Sequence, residues 1–281
     1  MALKQCRHGH FIYNKHDTFI GRSLDLYGEW CESEVELLSR LVGPGSVVVD
    51  IGANIGSHSI PLARRVAPGG RLIAFEPQRI VFQQLCANVA LNGLTNVTCR
   101  PEAVGSARGV ARIPALDPRQ DFNFGGIRLR SDDKGEHVAV ISLDDFGLSK
   151  CDLIKIDVEG MEPAAIAGAA KTIERCHPVL FAENNTEKTS AETIAAVRAL
   201  PGYRAWWHIS NYFSSNNFFG NRNNIFEKYQ PEANMLCIHE STGVTINGLP
   251  EVLNELDTWR QALARQPQVL NENNEIRILG R

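Results

Sequence analysis

Apolar positions in this chain fall in short blocks whose spacing alternates between two periods. From Glu34 to Val42 they sit at Val35, Leu37, Leu38, Leu41 and Val42, one face of a helix, and Gly43-Pro44-Gly45 ends it. Ser46 to Ile51 is instead a continuous β-branched run, SVVVDI, the pattern of a strand buried on both faces. The exchange then repeats. A glycine turn over 52–56 leads to a helix from Ser57 to Val66, a strand from Arg71 to Phe75, a helix from Ile80 to Leu91 and a strand from Asn96 to Arg100. This βαβαβ order predicts a parallel sheet with helices on both faces.

Residues 103–143 break the rhythm. Gly105, Gly109, Gly125, Gly126 and Gly135 punctuate short β-like runs, which predicts a small antiparallel insertion. The main pattern resumes with a strand at Asp152 to Asp157, a helix near Pro163 to Ile173, a strand at Pro178 to Glu183 and a helix at Ala191 to Leu200. Strands follow at Tyr203 to Ile209 and Asn234 to His239, separated by a long Asn- and aromatic-rich loop. Pro250 to Arg265 reads as a helix and 266–281 as a polar tail. Residues 1–27 are mixed, with Phe11, Ile12, Phe19, Ile20 and Leu24 as packing points.

Composition narrows the class. The 281 residues are 43% hydrophobic and 22% charged, which excludes collagen, coiled coil and wholesale disorder. The net charge of −3 disfavours a general nucleic-acid binder. Seven scattered cysteines, an odd number without a CxxC pair, read as reduced thiols of a cytoplasmic protein. The N-terminus lacks the apolar run of a signal peptide, and no stretch approaches a membrane span.

Candidate chemistry gathers at the strand ends. Asp50-Ile51-Gly52-Ala53-Asn54-Ile55-Gly56 places an acid and a glycine turn where ligands bind in an open parallel sheet. Its spacing is neither GxGxxG nor a P-loop. Glu76, closing the second strand, is placed to accept both ribose hydroxyls, and Glu102 with Ala103 is placed for a base edge. Three such acids would repel a dinucleotide pyrophosphate. They suit a nucleoside bearing a cation, as the sulfonium of S-adenosylmethionine does. Asp157 and Glu159 bracket the position of a reacting group, with Lys155 either pairing Asp157 structurally or facing the substrate. Glu183 and Asn184 end the next strand at the same rim. His208 is a candidate general base or a structural imidazole. Asn217 and Phe218 represent a loop suited to a polyhydroxylated acceptor, with Asp157 competing with His208 for the proton.

At VVVDIGANIG, AFEPQ, DLIKIDVEGME and PVLFAEN, in that order, the chain resembles the FkbM family of S-adenosylmethionine-dependent methyltransferases. The resemblance covers roughly residues 28–240, leaving 1–27 as an N-terminal extension and 241–281 as a C-terminal helix and tail. It implies a Rossmann-like, doubly wound sheet of seven mostly parallel strands, the last antiparallel. It also implies O-methylation of a hydroxyl, commonly on a sugar or polyketide-type product. Carried over, Asp50, Gly52, Asn54 and Gly56 would surround the methionine part of the donor, with Ala53 between them. Glu76 would hold the ribose, and Asp157 and Glu159 would stand at the reaction centre. The base is not fixed by the family pattern. No metal is required, although Asp157, Glu159 and Glu183 could bind one. The acceptor expected is a small molecule or glycan, not a nucleic acid. N-methylation of an amino sugar and a non-catalytic RNA- or protein-binding module remain alternatives.

Overall fold

The computed structural model describes residues 1–128, 135–271 and 275–280. Parts of two expected segments, 129–134 in the insertion and 272–274 and 281 in the tail, lie outside the described residues. Seven strands form the central sheet: β1 (Val47–Ile51), β2 (Arg71–Phe75), β3 (Val97–Arg100), β4 (Leu153–Ile156), β5 (Val179–Glu183), β6 (Tyr203–Ser210) and β7 (Glu232–His239). Their spatial order is β6-β7-β5-β4-β1-β2-β3. β7 runs antiparallel to both its neighbours, and the other pairings are parallel. The α/β fold is therefore Rossmann-like, with the expected antiparallel last strand.

The β-branched run of β1 explains its central place. Val47, Val49 and Ile51 alternate with Val48 and Asp50, and all five are buried, so both faces of the sheet are covered. The register sets Asp50 opposite Lys155. Adjacent partners share a face, which brings a buried acid and a buried lysine together beneath the carboxyl end of the sheet.

Eight helices are described: α1 (Ile20–Leu26), α2 (Glu32–Leu41), α3 (Ser59–Val66), α4 (Arg79–Leu91), α5 (Glu162–Ala167), α6 (Ala170–Cys176), α7 (Glu187–Arg198) and α8 (Trp259–Arg265). The single helix expected over Pro163 to Ile173 is two, broken at Gly168. A Cβ there would lie 1.9 Å from the Gly105 carbonyl oxygen, so the chain turns where two backbones touch. The helix expected from Pro250 shortens to α8. Its first part instead joins the edge of β6, where Trp207 N donates to Pro250 O and Val252 N to Ala205 O. An exposed strand edge needs such partners. The insertion is a mixed three-stranded sheet, not an antiparallel one: Ala103–Val104 runs parallel to Glu136–Ile141, and Gly109–Ile113 antiparallel.

The ends of the chain are more structured than their composition indicated. Ala2–Cys6 and Gly9–Tyr13 form a hairpin tied to α4, where Asn88 accepts from Ile12 N and donates to the Ile12 and Ile55 carbonyls. In the expected polar tail, Val269 is buried in the main core and Arg277–Leu279 pairs with Thr245–Asn247. All seven cysteines are unbridged. No described helix is long and apolar enough to cross a membrane.

Candidate active site

A cavity of about 230 Å³ opens across the carboxyl ends of the parallel strands. Its walls divide by strand. On one side, the ends of β1, β2 and β3 contribute Gly52, Asn54, Glu76, Glu102 and Ala103. Gly52 has φ +84°, and a Cβ on it would meet the Asp157 carbonyl oxygen at 1.8 Å. Only glycine lets the β1 turn pass so close to the β4 turn. Gly52 N and Ala53 N both donate to Phe75 O, at 3.0 and 2.9 Å, which locks the turn against β2.

Glu76 is buried and already accepts two backbone hydrogen bonds, from Asn54 N at 2.9 Å and Gln78 N at 2.8 Å. Burial raises its pKa to about 7, against those two bonds. Glu102 is held by Arg100 in a bidentate pair at 2.5 and 3.1 Å. Phe75, Val104, Ile113 and Met161 give this side of the cavity an apolar lining.

The other side is acidic. Asp157 follows β4, and Lys155 Nζ donates to its Oδ2 at 2.9 Å while lying 3.7 Å from Asp50 Oδ1. Ser59 donates to Asp50 Oδ2 at 2.6 Å. The Lys155 ammonium holds the Asp157 carboxyl below the usual range although burial opposes it. Glu159 stands in a strained left-handed backbone, φ +53°. The strain is held by Glu162, whose Oε1 accepts from Val158 N and Gly160 N on either side. Asn185 bridges Glu183 and Glu232 through its amide nitrogen. Burial, and then the neighbouring carboxylates, push Glu159 and Glu232 up to about 8 and Glu183 well above its normal value. Asp157, Glu159 and Glu183 each offer an oxygen within 4.8 Å of the others, a grouping that could hold a metal ion.

Several lining residues carried no motif signal. Glu34 on α2 accepts from Asn234 Nδ2 at 3.0 Å and lies 3.1 Å from His58 Nε2, and burial raises it to about 8. Phe19, Trp30 and Tyr212 form an aromatic wall, with Trp30 stacked on Tyr212 at 5.2 Å and Phe19 edge-on to Tyr212 at 5.6 Å. Phe19 and Trp30 precede the glycine turn by more than twenty residues. No local spacing marks them; the clustering of aromatics in residues 19–30 and 212–229 was the one available signal. Three of the four non-glycine residues with positive φ among the described residues, Cys31, Asn54 and Glu159, line the cavity. Such strain gathers at functional sites.

The expected site residues thus separate. Gly52, Asn54, Glu76, Glu102, Ala103, Asp157, Glu159 and Glu183 meet at one cavity. Asp50, Ala53, Gly56 and Lys155 lie behind its wall: Asp50 and Lys155 form the ion pair under the floor, and Gly56 packs towards Leu85. Asn184 turns away, donating to Met235 Sδ at 3.5 Å, because alternation along the chain points it opposite to Glu183.

His208 requires a larger correction. It shares the sheet face of Asn234 and Glu183, but stands on the outer strand and lines a separate cavity under α2 with Leu37 and Arg40. Burial alone lowers its pKa to about 4. Asn217 and Phe218 are also outside the main cavity. Asn217 caps its own loop through Ser214 O and Asn221 O, and Phe218 N donates to Glu29. The loop is stapled to residues 26–29, where Tyr27 bonds Asn223 O and Ile225 N. From this loop it is Tyr212, not Asn217 or Phe218, that lines the cavity.

A mostly parallel open sheet with a cavity across its strand ends is a Rossmann-like arrangement, and in such sheets ligands generally bind at that rim. Residues 50–218, more than half of the chain, match the family model described as the Methyltransferase FkbM domain, and the chain belongs to that family. Among curated proteins it is 28% identical over 155 residues to Methyltransferase sdnD of Sordaria araneosa, a match taking in 43% of this chain and 59% of that protein. The chain therefore spans little more than half of that relative. Among solved structures, Methyltransferase FkbM from Methylobacillus flagellatus KT gives a TM-score of 0.46 at 18% identity, over 69% of this chain and 44% of that one. Precorrin-6y C5,15-methyltransferase from Geobacter metallireducens GS-15 gives 0.49 at 20% identity, over 74% and 87%.

Proposed function

We propose that this chain is an S-adenosylmethionine-dependent methyltransferase that methylates a hydroxyl of a small polyhydroxylated acceptor, such as a sugar. The observation that carries the reading is the division of one cavity into two unlike halves at the ends of adjacent parallel strands. The β1–β3 half suits a nucleoside. Its apolar lining fits a flat base, Glu76 retains lone pairs for ribose hydroxyls, and Gly52 keeps the turn low enough for a ligand to lie against the backbone. The bound donor would supply an electrophilic methyl on a positive sulfonium.

The protein's own work is then alignment and proton removal. Positioning of reactants can contribute about 7–11 kcal/mol to a barrier reduction. Asp157, kept ionised by Lys155, is placed to hold an acceptor hydroxyl. Its lowered pKa makes it a weak base. Glu159, raised to about 8, is better matched to accept a proton near neutral pH. The test is calorimetry with S-adenosylhomocysteine followed by transfer of radiolabelled methyl from S-adenosylmethionine. Donor binding with label in a small-molecule product is the expected result. Donor binding with no transfer to any glycan or small molecule would instead leave a non-catalytic binding module.

A further inference from the structure

The acceptor half of the cavity gathers more carboxyl groups than the donor's charge could keep ionised. Glu34, Asp157, Glu159, Glu183 and Glu232 all line it, and no Lys or Arg does among the described residues. A buried cation beneath them, Lys155, is already shared between Asp50 and Asp157. Arg128, which acts on Glu159 from a distance, is hydrogen-bonded to Thr186. S-adenosylmethionine brings a sulfonium, an ammonium and a carboxylate, hence a single net positive charge. Clustered carboxyls in a partly enclosed space resist ionising together and hold protons instead, as the raised pKa values of Glu34, Glu159, Glu183 and Glu232 reflect, so a cationic ligand is favoured because it lets them ionise.

Two further features point to an organic cation as the missing partner. The first is His58. It is 5% exposed, lines the cavity, and its Nε2 makes no hydrogen bond, since the Glu34 oxygen 3.1 Å away lies outside hydrogen-bond geometry. Burial keeps this imidazole neutral at pH 7, its pKa lowered to about 4. Its Nε2 is enclosed beside Glu34, so the neutral ring adds no positive charge of its own to balance the acids. The second is the wall of Phe19, Trp30 and Tyr212 beside the acids. Ring faces attract ammonium groups, and they do so most when water is displaced. A bare metal ion would use the carboxylates but not the rings.

We infer that the acceptor carries a protonated amino group, held between the Glu34–Glu159–Glu183–Glu232 carboxylates and the Trp30–Tyr212 wall, while its hydroxyl faces the donor. The inference rests on the methyltransferase reading and names the acceptor class for the same site. The methyl passes from sulfur to the acceptor oxygen. The O–H proton goes to a cavity carboxylate, and the amino group keeps its proton and stays unmethylated.

The experiment uses radiolabelled S-adenosylmethionine, the intact chain, and a small-molecule extract of cells expressing it, with and without prior N-acetylation of that extract. Acetylation under mild aqueous conditions removes amine charge and spares hydroxyls. Label should enter a product retained on a cation exchanger, and acetylation should cut incorporation at least tenfold. Glu232→Gln and Trp30→Ala should each raise the acceptor KM at least tenfold with the affinity for S-adenosylhomocysteine unchanged, a split that misfolding would not produce. Equal labelling of the acetylated extract, or a labelled product that the exchanger does not retain, would overturn the inference while leaving methyl transfer standing. Loss of transfer in EDTA, restored by Mg²⁺, would overturn it in favour of a metal among the acids. Absence of both donor binding and label would remove the methyltransferase reading, and this inference with it.

Discussion

Replacing Lys155 by methionine tests the floor of the site. The ammonium lies 3.7 Å from Asp50 Oδ1 and 2.9 Å from Asp157 Oδ2. Asp50 is fully buried, whereas the Asp157 side chain keeps 41% of its exposure and is screened by solvent. The loss is therefore reckoned on Asp50 alone. Removing one partner of a buried pair leaves an uncompensated charge and costs about 3–5 kcal/mol. Asp50 retains the hydrogen bond from Ser59, which favours the lower end, about 3 kcal/mol. At ~2–4 °C per kcal/mol for a domain of this size, the melting temperature should fall by about 6–12 °C.

The pH dependence carries a definite sign. Lys155 has a raised folded pKa, so its contribution is fully present below the ordinary lysine value of about 10.4 and persists above it. Asp157 has a lowered folded pKa, so its share is present above the unfolded value of about 3.9 and is lost as pH falls through the folded one. The wild-type–variant difference should be flat from about pH 5 to 9 and narrow only below about pH 4. Urea denaturation at several pH values measures it. A deficit below about 1 kcal/mol at pH 7, within the range of an ordinary surface change, would refute the buried-pair account.

Three further outcomes are expected. Gly52→Ala should abolish S-adenosylhomocysteine binding in calorimetry and destabilise by at least about 1–2 kcal/mol from the left-handed backbone alone, since its Cβ would also strike the Asp157 carbonyl; near-normal binding would show that the turn is not part of the donor site. Affinity for S-adenosylhomocysteine should fall as pH drops below about 7, where the Glu76 carboxylate protonates, and Glu76→Gln should lose about 1–3 kcal/mol of binding together with that pH dependence; a Glu76→Gln variant with the wild-type profile would take Glu76 away from the ribose. His208→Phe should leave kcat within about twofold while changing thermal stability, because the ring packs near Phe181 outside the main cavity; a hundredfold fall in kcat with unchanged donor affinity would restore His208 as the base.

Residues that act through local pattern could be read from the chain alone. The β-branched run of β1, the glycine turn after it and the acids at Glu76, Asp157 and Glu183 announce a parallel sheet with chemistry at its carboxyl rim. Burial on both faces and the period of the strands act within a few residues. Other features depend on how distant segments pack. Glu34 and Trp30 reach the cavity because α2 and the segment before it lie against the sheet, and Tyr212 joins them because its loop is bonded to residues 26–29. His208 has the right type and the right sheet face, yet standing on the outer strand puts it in another cavity. Asp50 and Lys155 look like ligand contacts in the sequence and are an ion pair under the floor, because the β1–β4 register sets them side by side in a fully covered layer. Local sequence determines periodicity and turn chemistry, whereas the order of strands and the packing of remote segments decide which polar groups face a shared cavity and which neutralise one another beneath it.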